Sequence, residues 1–381
     1  MLKVLFQNRQ DAFTNWGGDT TQMEKTKEYL TRADVMVTVD LDAAPDFASS
    51  DYDLVHIFNI QNADHGIQQL RNAKRKGKPV VVSTIYWDMN NLARRSAFRL
   101  LLNRVHDVIP YSYLSWFPGY SSSSMGRRKY RYMQMKQMLL EADLLLPNSY
   151  AEAELLATHF NAPCLRAKVV VVPNGVDDEV VSAGGGRMLP QGGGLAEVLP
   201  KPFVLQVGRL EPIKGQLQVI EALMEYPEIP LVFLGKGSDE AYVQRCKALG
   251  ERRGNTYFPG AVPPDQVEGF YRQAKVHVLP SLRESPGLAT LEAAVFGANC
   301  VVSFHGPVAE YFGGDVWYCD PDQLSSVREG VLNAWRAPGN ESLRQTILEK
   351  FTWREASRVT REGYRRLTSE ASIHSAPKVG K

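Results

Sequence analysis

Val276-His277-Val278-Leu279-Pro280-Ser281-Leu282-Arg283-Glu284-Ser285-Pro286-Gly287-Leu288-Ala289-Thr290-Leu291-Glu292 reads as a strand, a loop and a helix in direct succession. The run that ends at Leu279 is short and rich in β-branched residues, as strands inside a parallel sheet are. Ser285 then supplies an N-cap and Pro286 a first helical residue. Leu288, Leu291 and Val295 recur at helical spacing, and Gly297 ends the pattern. A helix opening at Pro286 puts the amides of Gly287 and Leu288 in its first turn, where oxyanions bind well. Glu284 stands just before that helix. Glu292 lies six residues past Pro286, roughly 9 Å along the axis at 1.5 Å per residue. Carboxylates so placed bracket an elongated ligand.

About seventy residues upstream lies Gly208-Arg209-Leu210-Glu211-Pro212-Ile213-Lys214-Gly215. Phe203–Val207 reads as a strand, Gly208-Arg209 ends it, and Lys214-Gly215 is expected to begin a helix. Arg209 can fork onto phosphate oxygens, while Lys214 acts as a point charge. Gly235-Lys236-Gly237 follows another strand and lets backbone approach a ligand closely. Taken singly, the E-x7-E spacing and the Gly-Arg pair each read more readily as solvated charge on an α/β loop. Taken together they fit a sugar linked to a diphosphate, with cations for the phosphates, carboxylates for hydroxyl groups and helix amides for oxyanions.

Working outward, short apolar runs alternate with helical patterns throughout, which predicts α/β architecture with parallel sheets. The first-half strands are expected at Lys3–Asn8, Asp34–Val39, Leu54–Asn59, Pro79–Ile85, Asp143–Pro147 and Val169–Val172. Those of the second half are expected at Phe203–Val207, Leu231–Leu234, Thr256–Phe258, Val276–Leu279, Cys300–Phe304 and Val316–Tyr318. Gly184-Gly185-Gly186 and Gly192-Gly193-Gly194 mark a flexible connection. The chain is expected to form two Rossmann-like doubly wound domains, 1–183 and 201–355, with a linker over 184–200 and a cleft at the strand C-terminal ends. Phe351 to Glu370 reads as a helix carrying Trp353, Val359, Tyr364 and Leu367, and the residues after Ser372 as a frayed tail.

Composition sets the class. At 381 residues the chain exceeds one compact core, and 44% apolar with 23% charged residues is ordinary for a globular protein. Cys164, Cys246, Cys300 and Cys319 are scattered without metal-binding spacing, so buried, reduced thiols in a cytoplasmic protein are expected. Met1 to Phe6 reads as a first strand rather than a signal peptide, and no segment reaches the roughly 18 apolar residues of a spanning helix. The net charge of +2 hides fourteen basic and two acidic residues between Arg71 and Lys136. This basic region, with a basic amphipathic pattern over 94–105 and an aromatic loop over 116–120, suggests an anionic partner or the inner face of the cell membrane. A core-facing helix with a solvated basic side fits that pattern equally well. No nucleic-acid recognition module is visible.

The pairing of Gly208-Arg209-Leu210-x3-Lys214-Gly215 with Glu284-x7-Glu292 resembles the retaining GT-B glycosyltransferases of family four, the group 1 glycosyl transferases. Trp16-Gly17-Gly18 resembles that family's glycine loop. Pro147-Asn148-Ser149, Val172-Pro173-Asn174-Gly175-Val176-Asp177 and Phe351-x-Trp353 resemble its later markers. The resemblance implies an N-terminal acceptor domain, a C-terminal donor domain and a last helix (356–381 with its tail) returning to the first. It implies that Arg209 and Lys214 hold the donor diphosphate, that Glu284 meets the donor sugar and Glu292 the ribose. Ser285, Gly287, Leu288, Gly208, Gly235 and Lys236 complete the donor side, with Gly17 and Gly18 on the acceptor side. Many relatives end the fourth strand in a His. Here Val82-Ser83-Thr84-Ile85-Tyr86-Trp87-Asp88 has none, so Tyr86 or Asp88 is expected in its place, and His56 is expected to be structural.

The implied reaction is transfer of a sugar, with retained anomeric configuration, from a UDP- or GDP-sugar to a saccharide or lipid-linked saccharide in cell-envelope synthesis. Neither a metal nor a cofactor is implied beyond the nucleotide sugar as co-substrate. A nucleotide-sugar epimerase shares the fold and needs no acceptor. A phosphorylase would need pyridoxal, for which no residue speaks. A dinucleotide oxidoreductase is disfavoured by the missing GxGxxG. A non-catalytic nucleotide- or glycan-binding relative has only the missing His in its support.

Overall fold

Continuous runs of Val, Leu, Ile and Phe build two parallel sheets in the computed structural model, which describes residues 2–33, 37–42, 44, 52–86, 124–178 and 199–374. The chain divides into two compact units, Met1–Pro173 with Ala356–Lys381, and Asn174–Glu355. The division falls at Pro173/Asn174, ahead of the expected linker. The glycine triplets of that linker lie outside the described residues, as do 94–105 and 116–120 of the basic region.

The first unit runs β1 (Leu2–Gln7), α1 (Gly18–Ala33), β2 (Val37–Leu41), β3 (Leu54–Phe58), α2 (Ala63–Arg75), β4 (Val80–Ser83), α3 (Ser124–Glu141), β5 (Leu144–Leu146) and α4 (Tyr150–His159). Its sheet order is β2-β1-β3-β4-β5, all parallel. This order reverses between β1 and β3, so the loops leaving those two strands diverge and open a crevice at their C-terminal ends. Leu5, Ile57, Val80, Val82 and Leu145 pack with Met138 and Phe160 in its core. The strand expected at Val169–Val172 is an extended segment instead. Only Val169 bridges Leu145, and the amides of Val170 and Val172 bond to Leu145 and Pro147 carbonyls on one side.

The second unit runs β6 (Phe203–Val207), α5 (Gln216–Ala222), β7 (Leu231–Leu234), α6 (Glu240–Arg253), β8 (Thr256–Gly260), α7 (Pro264–Gln273), β9 (Ala274–Leu279), α8 (Leu288–Val295), β10 (Asn299–Ser303), α9 (Val308–Phe312), β11 (Trp317–Cys319), α10 (Leu324–Arg336) and α11 (Glu341–Lys350). The sheet order is β11-β10-β9-β6-β7-β8. Both faces are covered. Val204, Val276, Val278 and Val301 pack with Ile220 and Val331 on one side, and Phe203, Leu205, Val232 and Leu234 with Phe270 and Tyr271 on the other. Burial of each large apolar side chain contributes roughly 1.5–3 kcal/mol, which explains the absence of alternation in these strands. Cys246, Cys300 and Cys319 are buried free thiols, whereas Cys164 is exposed, contrary to expectation.

The last helix, α12 (Trp353–His374), passes from the second unit's residues into the first unit's. Tyr364 on it is fully buried, and its hydroxyl lies 2.5 Å from His56 Nδ1, while Nε2 of the same ring lies 2.9 Å from Ser83 Oγ. His56 is therefore a buried joint between β3, β4 and α12. Desolvation holds its pKa down at about 3, so the ring is neutral.

Candidate functional site

In the second unit the sheet order reverses between β6 and β9, which are hydrogen-bonded neighbours with Leu205 opposite His277. Helices leave this switch point to opposite faces, so the loops after β6 and β9 part and leave room for a ligand. Those loops are 208–215 and 280–287. Leu282 N donates to Ile213 O at 2.9 Å, which ties the loops together. Lys214 Nζ meets Glu284 Oε2 at 2.6 Å, with both side chains mostly buried at 17% and 12% exposure. The sequence placed this cation and this carboxylate in one site; the structure makes them an ion pair. Arg209 stays exposed, with Glu211 Oε1 at 3.1 Å from Nη1.

Lys214 does not begin a helix as expected. It ends a short 3-10 turn, Pro212–Lys214, and Gly215 at φ 75° separates that turn from α5. A Cβ on Gly215 would stand 2.9 Å from the Pro280 carbonyl, so this close approach of the two loops requires glycine. Gln206 and Gln216 hold the turn from below, donating to Lys214 O at 2.7 Å and Arg209 O at 3.0 Å. Gly235 comes against the same loop, where its Cβ would fall 2.0 Å from Gly208 O. Lys236 is exposed, and its carbonyl accepts from Leu210 N at 3.0 Å.

The helix after Glu284 also opens later than expected. Gly287, at φ 94°, takes the N-cap position, and α8 starts at Leu288 rather than Pro286. Ser285 is not the cap. Its carbonyl accepts from Asn174 Nδ2 at 3.3 Å, and its buried hydroxyl has no hydrogen-bond partner among the described residues. Leu288 and Ala289 become the first helical residues, whose amides have no intrahelical acceptor. Glu292, on the body of α8, accepts a 2.7 Å bond from the Tyr271 hydroxyl. Arg209, Lys214, Glu284, Ser285, Gly287, Gly208, Gly235 and Lys236 are thus carried by the loops and turns at the C-terminal ends of β6, β7 and β9, and Leu288 and Glu292 by the helix that follows.

The residues expected on the acceptor side belong to the first unit. Gly17 and Gly18 precede and open α1, and nothing lies within 4 Å of a Cβ built on Gly18. Trp16 is exposed, with its Nε1 donating to Thr21 Oγ1 at 2.9 Å. Arg9, just past β1, binds Asp19 at 3.0 Å and Asp11 at 2.8 Å and organises this loop. Tyr86, expected in place of the strand-end His, is buried, with its ring packed against His159 and Phe160 in the core, and it follows Ile85 at φ 45°. Asp88 lies outside the described residues.

Sequence reasoning missed three contributors. Tyr271 carries no motif, since a Tyr next to Phe270 on an amphipathic helix reads as core. His277 is buried with neither ring nitrogen partnered among the described residues, and burial, then the Lys214 charge, depress its pKa to about 3. Glu152 is a buried carboxylate that accepts from Thr84 Oγ1 and from the amides of Tyr86 and Asn148, both at 2.7 Å. Its place in an ordinary helix start gave no sign that it clamps the end of β4.

Residues 194–346 match the family described as Glycosyl transferases group 1. A D-inositol 3-phosphate glycosyltransferase of Acidothermus cellulolyticus is 32% identical over 175 residues, 42% of this chain and 38% of that protein. Its counterpart from Streptomyces avermitilis is 28% identical over 264 residues, 64% of this chain and 55% of that one. The matched stretches thus span about half or less of these relatives' lengths. Among solved structures, sucrose-phosphate synthase from Thermosynechococcus elongatus superposes with a TM-score of 0.70 at 18% identity, over 97% of this chain and 100% of that one. Anabaena HepE in complex with UDP-glucose gives 0.59 at 14% identity, over 98% and 100%. At such identities the likeness shows the fold, which is GT-B, with a doubly wound α/β sheet in each unit. Residues 194–346 of this chain are thus similar to the group 1 glycosyl transferases, and nearly its whole length shares the GT-B fold.

Proposed function

We propose that the protein is a retaining glycosyltransferase that moves a sugar from a nucleoside-diphosphate sugar to the hydroxyl of a saccharide or lipid-linked saccharide. The observation that carries this reading is the Lys214–Glu284 pair at the switch point, beside the first amides of α8. In this reading the diphosphate lies against Arg209, Lys214 and the Leu288 amide, and Glu284 accepts from a donor-sugar hydroxyl. Ser285 adds a buried hydroxyl, Gly208, Gly235 and Gly287 let backbone approach, and Lys236 adds positive charge at the rim. The bond from the anomeric carbon to the leaving phosphate oxygen breaks. The bond to the acceptor oxygen forms on the same face, and the acceptor proton passes to the leaving phosphate. Negative charge develops on that phosphate, and cations fixed beforehand stabilise it without reorganising. No step calls for a metal.

Gly17 and Gly18 would admit the acceptor on the first unit. The packing of Gly18 leaves room for a side chain, so any demand for glycine there comes from a ligand. The basic residues between Arg71 and Lys136 support an anionic acceptor or the headgroups of the inner membrane face in cell-envelope synthesis. HepE was solved in complex with UDP-glucose, which favours a uridine nucleotide here as well.

Calorimetry with UDP, GDP, ADP and their common sugars tests the donor site. One nucleotide should bind, and Glu292→Ala should weaken it about tenfold, near the 1.4 kcal/mol that one ribose contact is expected to contribute. Binding of none of them would overturn the reading. Interconversion of free nucleotide sugars without an acceptor would favour an epimerase.

A further inference from the structure

We infer that Tyr271 is a positioning residue that holds Glu292 in the orientation needed to read a ribose diol. The inference rests on the donor-site reading above, in which Glu292 meets the ribose. Tyr271 lies on α7 and is 2% exposed. Its hydroxyl donates to Glu292 Oε2 at 2.7 Å. The ring is fixed from a second side by Phe296, at 6.0 Å between centroids and 9° between planes. Burial, reinforced by the Glu292 charge, pushes the phenol pKa well above its ordinary value, so the hydroxyl remains a donor.

Glu292 itself is half-buried on α8. An unconstrained Glu side chain has three rotatable bonds, and binding a ligand must freeze them. A charge-assisted bond from a rigid, buried phenol freezes them before the ligand arrives, which is preorganisation. A carboxylate offers about four acceptor positions, so it can hold the Tyr271 hydroxyl and also accept from a vicinal diol. The buried phenol also fixes which edge of the carboxylate faces outward. A tyrosine serving packing alone could satisfy its hydroxyl with a backbone carbonyl. Here the partner is the carboxylate assigned to the ligand.

Tyr271→Phe keeps the ring and removes only the hydroxyl. The probes are whichever of UDP, GDP and ADP binds most tightly and its 2′-deoxy analogue, measured by calorimetry on the full chain. Wild type should prefer the ribonucleotide. Tyr271→Phe should raise the ribonucleotide Kd about five- to twenty-fold and leave the deoxy Kd within about twofold, so that the preference collapses. In a Glu292→Ala background the same change should have no further effect. A Tyr271→Phe protein that keeps the wild-type preference overturns the inference, as does one with both Kd values raised in equal ratio and a lowered Tm. If Glu292→Ala itself keeps the preference, the ribose assignment of Glu292 fails instead. If Glu292→Ala loses it and Tyr271→Phe does not, the positioning role alone fails.

Discussion

Lys214 and Glu284 form a mostly buried ion pair, so neither can be changed without consequence for the other. Glu284→Gln should lower turnover by about 10²-fold while nucleotide Kd moves less than about threefold, because in the proposed reading the change falls at the sugar end. Lys214→Ala should both weaken nucleoside-diphosphate binding and slow turnover, since in the proposed reading it removes a cation that faces the diphosphate. Steady-state kinetics with calorimetry checks this, and two variants with wild-type turnover would remove both residues from the site. At this scale the sequence was partly legible. It offered a cation and a carboxylate of the right kinds, because local loop chemistry marks both segments. It gave no sign of Tyr271, whose role depends on α7 crossing beside α8. Nor could it show Tyr86 turning into the core.

At the scale of elements, the second-unit strands were the most legible part. Phe203–Val207 and Leu231–Leu234 occupy their expected residues, since fully buried strands leave unbroken apolar runs. Helix starts were less so. Ser285-Pro286 has cap and first-turn chemistry, yet Asn174 draws the Ser285 carbonyl away, and Gly306 packs so closely that a Cβ there would stand 2.6 Å from Glu284 O. The helix can begin only where Gly287 reverses the chain. Gly175 shows the same long-range control. It lies where Val176 bridges Thr352, and a Cβ there would fall 2.2 Å from the Thr352 carbonyl carbon. That contact is backbone on both sides, so Gly175→Ala should cost about 3 kcal/mol, read as a lowered denaturant midpoint at constant slope.

At the scale of the molecule, each unit carries one fully buried histidine among the described residues, His56 in the first and His277 in the second, both held neutral with pKa values of about 3 by burial. Their ordinary value is 6.5, so between about pH 6.5 and 3 the unfolded chain binds more protons than the folded one. Stability therefore rises with pH across that window and is lost as pH falls. Each histidine should contribute a slope of roughly 1 kcal/mol per pH unit in that range. Thermal melts from pH 7.5 to 5 should show falling Tm, and His277→Leu should flatten the second unit's share. A Tm independent of pH over this range would contradict neutral burial of both rings.

Alternation of apolar runs with helical patterns, the two motif segments and the family resemblance were determined by the sequence alone, because burial on both faces and loop chemistry are local properties. The switch point that brings 208–215 beside 280–287 was decided by tertiary structure, through strand order. So were the Lys214–Glu284 pair, the bond from Tyr271 to Glu292 and the joint of His56 with Tyr364. Each depends on residues at least 21 positions apart in the chain meeting in space, and nothing in a local pattern of residues encodes that meeting.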